Sequence, residues 1–329
     1  MEIYKIFLIN VLFFLLLTNY ASNINNISGK INIINLPPEN ISIKLLDSSG
    51  NSVSALSPTN TYTLEISVSD LNGLKDIKNI TVDFYYLSIY YYPTYTVWVN
   101  SSISSSEHIR FIYIPKNDTI IKYFGDNNDI AKWNVSLIQK PDYNKITGTW
   151  KFNFTIGSIA ASTGGFPGSV SMWKFNVTVS DENTTVIYED PNNYTMNSYV
   201  GIILNCSYIN YGNVKLNNSS ENNLSITTIY NTVSWNVELK TDSYWSNGLY
   251  NISVVNVPPG TNEMAILAEN LNNKNWIYLT NNYNVVYSYY NPSDSNRYMT
   301  LNIPTKVVLG TNILPGIYEG KIYIAIIDT

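Results

Sequence analysis

Alternation of apolar and polar residues with a period of two runs through nearly the whole chain, and it restricts the accessible folds more than any other feature. In GTWKFNFTI, Trp150, Phe152, Phe154 and Ile156 fall on one face and Lys151, Asn153 and Thr155 on the other, as a strand with one buried side requires. SMWKFNVTVSD repeats the scheme with Trp173, Phe175, Val177 and Val179 inward. Similar runs are expected at about 31–36, 41–46, 61–69, 78–89, 108–114, 132–138, 199–208, 223–230, 233–240, 250–257, 275–279, 284–290, 297–303 and 317–327. Turns rich in Pro, Gly and Asn separate them. No long helical period competes. Many short strands without intervening helices predict an all-β chain, two tandem Ig-like antiparallel β-sandwich domains after an N-terminal signal segment.

Patterning is weakest in SYINYGNVKLNNSSENN, residues 207–223. The expected organisation is therefore a signal peptide or N-terminal anchor over 1–22, a first sandwich with loop insertions over 23–205 and a second over 206–329. GSIAASTGGFPGS, residues 157–169, reads as a loop because its small residues and the Gly164-Gly165 pair permit positive φ angles. It is expected to project from one end of the first sandwich.

The chain has 329 residues, enough for two cores, and 45% of them are hydrophobic against 13% charged. A formal charge of −5 without a Lys/Arg cluster excludes the electrostatic footprint of a nucleic-acid binder. After MEIYK comes IFLINVLFFLLL, Ile6 to Leu17, which is short for a transmembrane helix and suits a secretory signal. Cleavage is expected after Ala21 or Ser22; left uncleaved, this segment is the one expected route to a membrane. The closing GKIYIAIIDT has no hydrophobic tail, so no C-terminal anchor is expected. The single cysteine, Cys206, gives no intramolecular disulfide and reads as a small buried hydrophobe in the strand YVGIILNCSY.

Candidate chemistry is sparse. In VSDLNGLKDIKNITVDFYY, Asp70, Asn72 and Asp76 are candidate oxygen ligands for calcium. The rival is a metal-free turn in which Asp70 and Asn72 bond to their own backbone around Gly73. Calcium takes six to eight oxygens, so three from one connection need help from another loop. One His, His108, and one Cys cannot build an imidazole or thiolate metal centre, and no Gly-x-Ser-x-Gly elbow occurs. Asp181-Glu182 and Glu189-Asp190 flank an expected hairpin, where acidic residues form turns, and this is favoured over a glycosidase pair.

Asn-x-Ser/Thr sequons number fifteen, whereas random placement of 48 Asn and 60 Ser plus Thr gives about nine. Strand alternation supplies the excess, since residues i and i+2 share a face. Asn79, Asn134, Asn153, Asn176 and Asn251 alternate with apolar neighbours and are expected to face solvent and carry glycans. No sequon follows Asn251, which predicts a bare C-terminal surface for a partner. The run DFYYLSIYYYPTYTVW has more rings than one core face needs, making Tyr91, Tyr95 and Trp98 candidate ligand or interface residues. YSYYNPSDSNRYM, from Tyr287, invites the same reading.

VSDLNGLKDIKNITV, the TWKFNF, GGFPGS and WKFNVTVSD block, NVELKT, NWIYLT and the closing LNIPTKVVLGTNILPGIYEGKIYIAI together resemble archaeal, methanogen-like secreted cell-surface proteins built from Ig-like β-sandwiches. The ending, with Pro315, Gly316, Tyr318, Gly320, Ile322 and Ile324, is similar to the close of such modules. The resemblance implies an envelope-associated, non-catalytic protein. The expected function is an extracellular structural or adhesion-like glycoprotein whose partners are envelope proteins, glycans or further copies of itself, with no cofactor beyond a candidate calcium. A carbohydrate-binding module using the Tyr-rich strands is the alternative, and a secreted hydrolase the third reading.

Overall fold

The structure, a computed structural model, describes residues 30–90, 108–124, 128–163, 169–291 and 297–329. The expected signal segment over 1–22 and the residues Tyr91, Tyr95 and Trp98 lie outside them. Met1–Asn35 forms one unit, of which 30–35 are described, and Leu36–Thr329 forms a second. The strand expected at 31–36 is not formed; the first strand among the described residues begins at Glu39.

The chain is all-β. β1 (Glu39–Leu46), β3 (Thr61–Ser69), β8 (Thr147–Thr155) and β7 (Asn134–Gln139) form a four-stranded sheet in that order. β10 (Thr185–Glu189), β9 (Ser169–Ser180), β4 (Asn79–Tyr90), β5 (His108–Ile114) and β6 (Thr119–Tyr123) form a five-stranded one. β2 (Ala55–Leu56) and β11 (Thr195–Met196) make a short ribbon. Alternation assigns the inward faces: Trp150, Phe152 and Phe154 of β8 meet Phe84 of β4, Phe111 of β5 and Trp173 and Phe175 of β9 in one buried cluster. Phe84 stands edge-on to Phe154 across the sheets, with ring centroids 5.5 Å apart.

From residue 200 the strands pair among themselves. β12 (Val200–Leu204), β13 (Ser219–Tyr230), β20 (Tyr298–Leu309), β17 (Glu263–Glu269), β16 (Asn251–Val254) and β15 (Tyr244–Ser246) form one sheet, with β18 (Trp276–Tyr278) on β17. β19 (Asn284–Tyr290), β14 (Ser234–Thr241) and β21 (Ile322–Asp328) form the other. Their inward residues, among them Ile226, Trp235, Val237, Ile266 and Ile303, make a second cluster. Pairing is antiparallel except β2 with β11 and β16 with β17, which run parallel. The all-β, predominantly antiparallel architecture expected from the alternation is thus present, with two short parallel pairings added.

Two further expectations change. The described part of the 157–169 loop does not project: Ile159, Ala160 and Ala161 are buried. Small side chains let this backbone approach the core, where Trp173 Nε1 donates to the Ala161 carbonyl (2.8 Å) and Ser158 Oγ to that of Ile130 (3.0 Å). Gly157 lies under the Trp133 indole, in space a Cβ would need. Cys206 follows β12 rather than lying in it and is half-buried against the second cluster.

Candidate functional site

Three carboxylates meet where the chain crosses between the first two sheets. Asp70 directly follows β3, Asp76 ends the 3-10 turn Leu74–Asp76 that leads to β4, and Asp181 directly follows β9. β4 pairs with β9 so that Asn79 stands opposite Ser180, and Lys78 N–H donates to the Ser180 carbonyl (2.8 Å). This register lays the β3–β4 connection beside the β9–β10 hairpin. One oxygen from each of Asp70, Asp76 and Asp181 then lies within 4.8 Å of the others.

Local turn chemistry holds each in place. Gly73 takes a φ of 100°, which its lack of a Cβ permits. Asp70 Oδ1 accepts the Asn72 N–H (2.8 Å). Asp181 Oδ1 accepts the N–H groups of Asn183 (2.7 Å) and Thr184 (2.6 Å), and its Oδ2 accepts the Thr184 hydroxyl (2.6 Å). Asn72 Oδ1, expected from sequence as a cation ligand, accepts the Leu36 N–H (2.7 Å) and ties down the chain entering β1. Asp181 was legible as a turn former, and it fills that role; its place beside Asp70 depends on the β4–β9 pairing, which no local pattern reveals.

The cluster is electrostatically costly. Asp70 is fully buried and its Oδ2 has no hydrogen-bond partner among the described residues. Burial pushes the Asp70 carboxyl above its ordinary range, the Asn72 N–H offsets part of this, and the charges of Asp76 and Asp181 add to it. Asp76 is raised as well, first by burial and then by Asp181 and Glu182, against the pull of Lys78. Lys78 itself bonds to Glu182 (2.8 Å).

A second charged group sits on β4 and β5. Asp83 lies opposite Arg110, whose Nε reaches Oδ1 (2.7 Å) and whose Nη2 reaches Oδ2 (3.0 Å), while His108 Nε2 is 2.8 Å from Oδ1. Burial opposes ionisation of Asp83, but the hydrogen bonds from His108 and Arg110 outweigh it and hold the carboxyl below its ordinary value. A depressed carboxyl stabilises the fold above its unfolded pKa of about 3.9, and the contribution is lost as pH falls through the lower folded value. Chemical denaturation across pH should therefore show Asp83→Asn losing about 1–3 kcal/mol at pH 7, with the gap to the native protein closing below about pH 4.

The candidate glycan sites all lie on outward strand positions. Asn134 and Asn251 are exposed; Asn79, Asn153 and Asn176 are half-buried among outer-face neighbours. Lys122 Nζ donates to Asn134 Oδ1 (2.8 Å). In the second aromatic cluster, Tyr289 is buried and stacks on Trp235 at 5.0 Å, and Tyr287 packs on the same indole at 5.5 Å. That leaves Tyr290 and Tyr298 as its exposed rings. Asp190, expected as a structural residue at the end of the hairpin, accepts the Tyr194 hydroxyl (2.7 Å) in the core.

No helix among the described residues is long and apolar enough to cross a membrane. No protein-family model matches the chain, and no curated protein does. Among solved structures it is similar to the CupB6 tip adhesin from Pseudomonas aeruginosa, at 9% identity over 87% of this chain and 94% of that one, with a TM-score of 0.30. It is also similar to the CsuC–CsuE chaperone–tip adhesion subunit complex from the archaic chaperone-usher Csu pili of Acinetobacter baumannii, at 11% identity over 87% of this chain and 99% of that one, with a TM-score of 0.32.

Proposed function

We propose that this chain is a non-catalytic, extracellular cell-envelope protein that acts by surface contact, in the manner of an adhesin, and that it carries N-linked glycans. The observation that carries the reading is the chemistry of the outward strand faces. Hydroxyls and amides line up across the four-stranded sheet: Thr61 Oγ1 bonds Thr155 Oγ1 (2.8 Å) and Ser67 Oγ bonds Thr149 Oγ1 (2.8 Å), with Asn153 between them on β8. On the sheet that begins at β12, Thr227 and Thr300 repeat the pattern (3.1 Å). Such a face offers donors and acceptors at little charge cost and suits wet contact with glycans or other envelope proteins. β21 lies at the edge of its three-stranded sheet and leaves backbone groups available to a neighbouring copy.

Past Asn251, where sequons cease, the segment 312–319 lies against the β15–β16 turn through Gly316 and Asn247. Leu249 and Ile317 there are 86% and 80% exposed. Surface proteolysis of intact cells and glycopeptide mass spectrometry test the proposal together. The expected result is a protease-accessible protein with glycans at Asn134 and Asn251 and none beyond. Recovery from the soluble cell interior, without glycans, would overturn it. In purified protein, Leu249→Asp with Ile317→Asp is expected to weaken sedimentation-detected self-association or retention on envelope material at least tenfold, about 1.4 kcal/mol or more, without moving Tm.

A further inference from the structure

We propose that Asp70, Asp76 and Asp181 bind one hard divalent cation, calcium, and that this ion pins the β3–β4 connection to the β9–β10 hairpin. The distances fit a single ion. Oxygens on opposite sides of calcium, each at about 2.3–2.6 Å, stand about 4.6–5.2 Å apart, and the three carboxylate oxygens lie within 4.8 Å of one another. Acidic residues gather at many turns without a metal, so the second observation decides the matter: Asp70, whose carboxylate belongs to this cluster, is fully buried, and its Oδ2 has no hydrogen-bond partner among the described residues. Its other oxygen accepts a backbone N–H, so the turn is already satisfied without Oδ2. A buried, ionised oxygen of this kind needs either a proton or a cation.

The donor set selects the class of ion. All three side chains supply oxygen, which suits calcium or magnesium and not the softer metals that prefer imidazole or thiolate. Magnesium demands near-ideal octahedral geometry at shorter distances, whereas calcium accepts an irregular shell completed by water. The β9–β10 turn, through Asp181, is the other loop that three ligands on one connection required. Through Asn72, which holds the Leu36 N–H, the ion also steadies the point where the chain enters β1.

Calorimetry on the purified chain tests the assignment without reference to the surface role. After treatment with chelator, a few millimolar calcium is expected to raise Tm by about 4–8 °C, with magnesium giving less. Isothermal titration should count one ion. Asp70→Asn, which keeps the oxygen that caps the turn, and Asp76→Asn, at a half-buried position, should each abolish the calcium shift. Asp70→Asn in chelator should melt at or above the native protein, because it removes the unpaired charge. Hydrogen exchange at residues 72–76 and 183–184 should slow when calcium is added. Equal melting in calcium and chelator would mean that a shared proton satisfies Oδ2 and would overturn the site, as would a shift that survives both substitutions.

Discussion

Asn231→Ala should melt about 6–12 °C below the native protein in calorimetry, and its single unfolding transition should separate into two. Asn231 is buried at the start of the turn between β13 and β14. Its Nδ2 donates to the carbonyls of Ala160 (2.7 Å) and Asn197 (3.0 Å), and its Oδ1 accepts the Tyr199 N–H (2.6 Å). Its backbone N–H donates to the Tyr199 carbonyl (3.0 Å), and its own carbonyl accepts Ser162 Oγ (2.9 Å). One side chain thus closes three backbone groups from the 157–163 loop and from the link between β11 and β12. Truncation leaves them orphaned at about 1 kcal/mol each, or about 3 kcal/mol in all.

The split transition follows from what lies beside the clasp. Ile229 packs into the first core and Tyr230, pointing the opposite way along the same strand, into the second. Removing the clasp frees the junction through which each core senses the other. Asn231→Asp should cost more than the alanine, since a carboxylate has no donors for the two carbonyls. Ser162→Ala, which removes one bond at a half-buried site, should cost about 1 kcal/mol. A single transition in Asn231→Ala within about a degree of the native Tm would refute the coupling.

Several strands with one wet face were legible to the residue, because alternation is the direct imprint of a half-buried sheet, whereas others were misjudged in length: β20, expected to end near 303, runs on to Leu309. The runs expected at 61–69, 108–114 and 284–290 are β3, β5 and β19. Where both faces are covered that imprint vanishes. EMAILAE, which is β17, is buried from Met264 to Ala268 without a break and offered no period to read. Two-residue strands such as β2 and β11 are too short to carry one. Alternation at 31–36 had the opposite defect, a strand pattern where no strand forms. The carboxylate cluster was half legible: Asp70 and Asp76 share a connection, while Asp181 reaches them only through strand pairing 105 positions further on from Asp76. Asn231 gave no signal at all, since its partners come from two segments distant in sequence, 160–162 and 197–199, and an asparagine in a turn has a sufficient local explanation.

Phe84→Ala should lose about 3–5 kcal/mol in chemical denaturation, the largest single-residue effect expected in the first core. Phe84 is 1% exposed on the central strand of the five-stranded sheet. Its ring stacks on Trp173 at 4.6 Å and on Phe175 at 4.4 Å, and stands edge-on to Phe154 at 5.5 Å and Trp133 at 6.3 Å. Each such pair adds about 0.5–1.5 kcal/mol beyond the area it buries. Removing the ring therefore opens a cavity and also breaks a contact set that joins residues of both facing sheets. Collapse cannot fill the space, because Trp173 is fixed by its bond to the Ala161 carbonyl (2.8 Å) and β4 is paired on both sides. Phe84→Leu, closer in volume, should cost about 1–2 kcal/mol while dulling the near-ultraviolet circular dichroism of the indoles as strongly as the alanine does. A loss below about 1 kcal/mol for the alanine would mean that the sheets move together to close the void, and that the core is looser than its ring geometry implies.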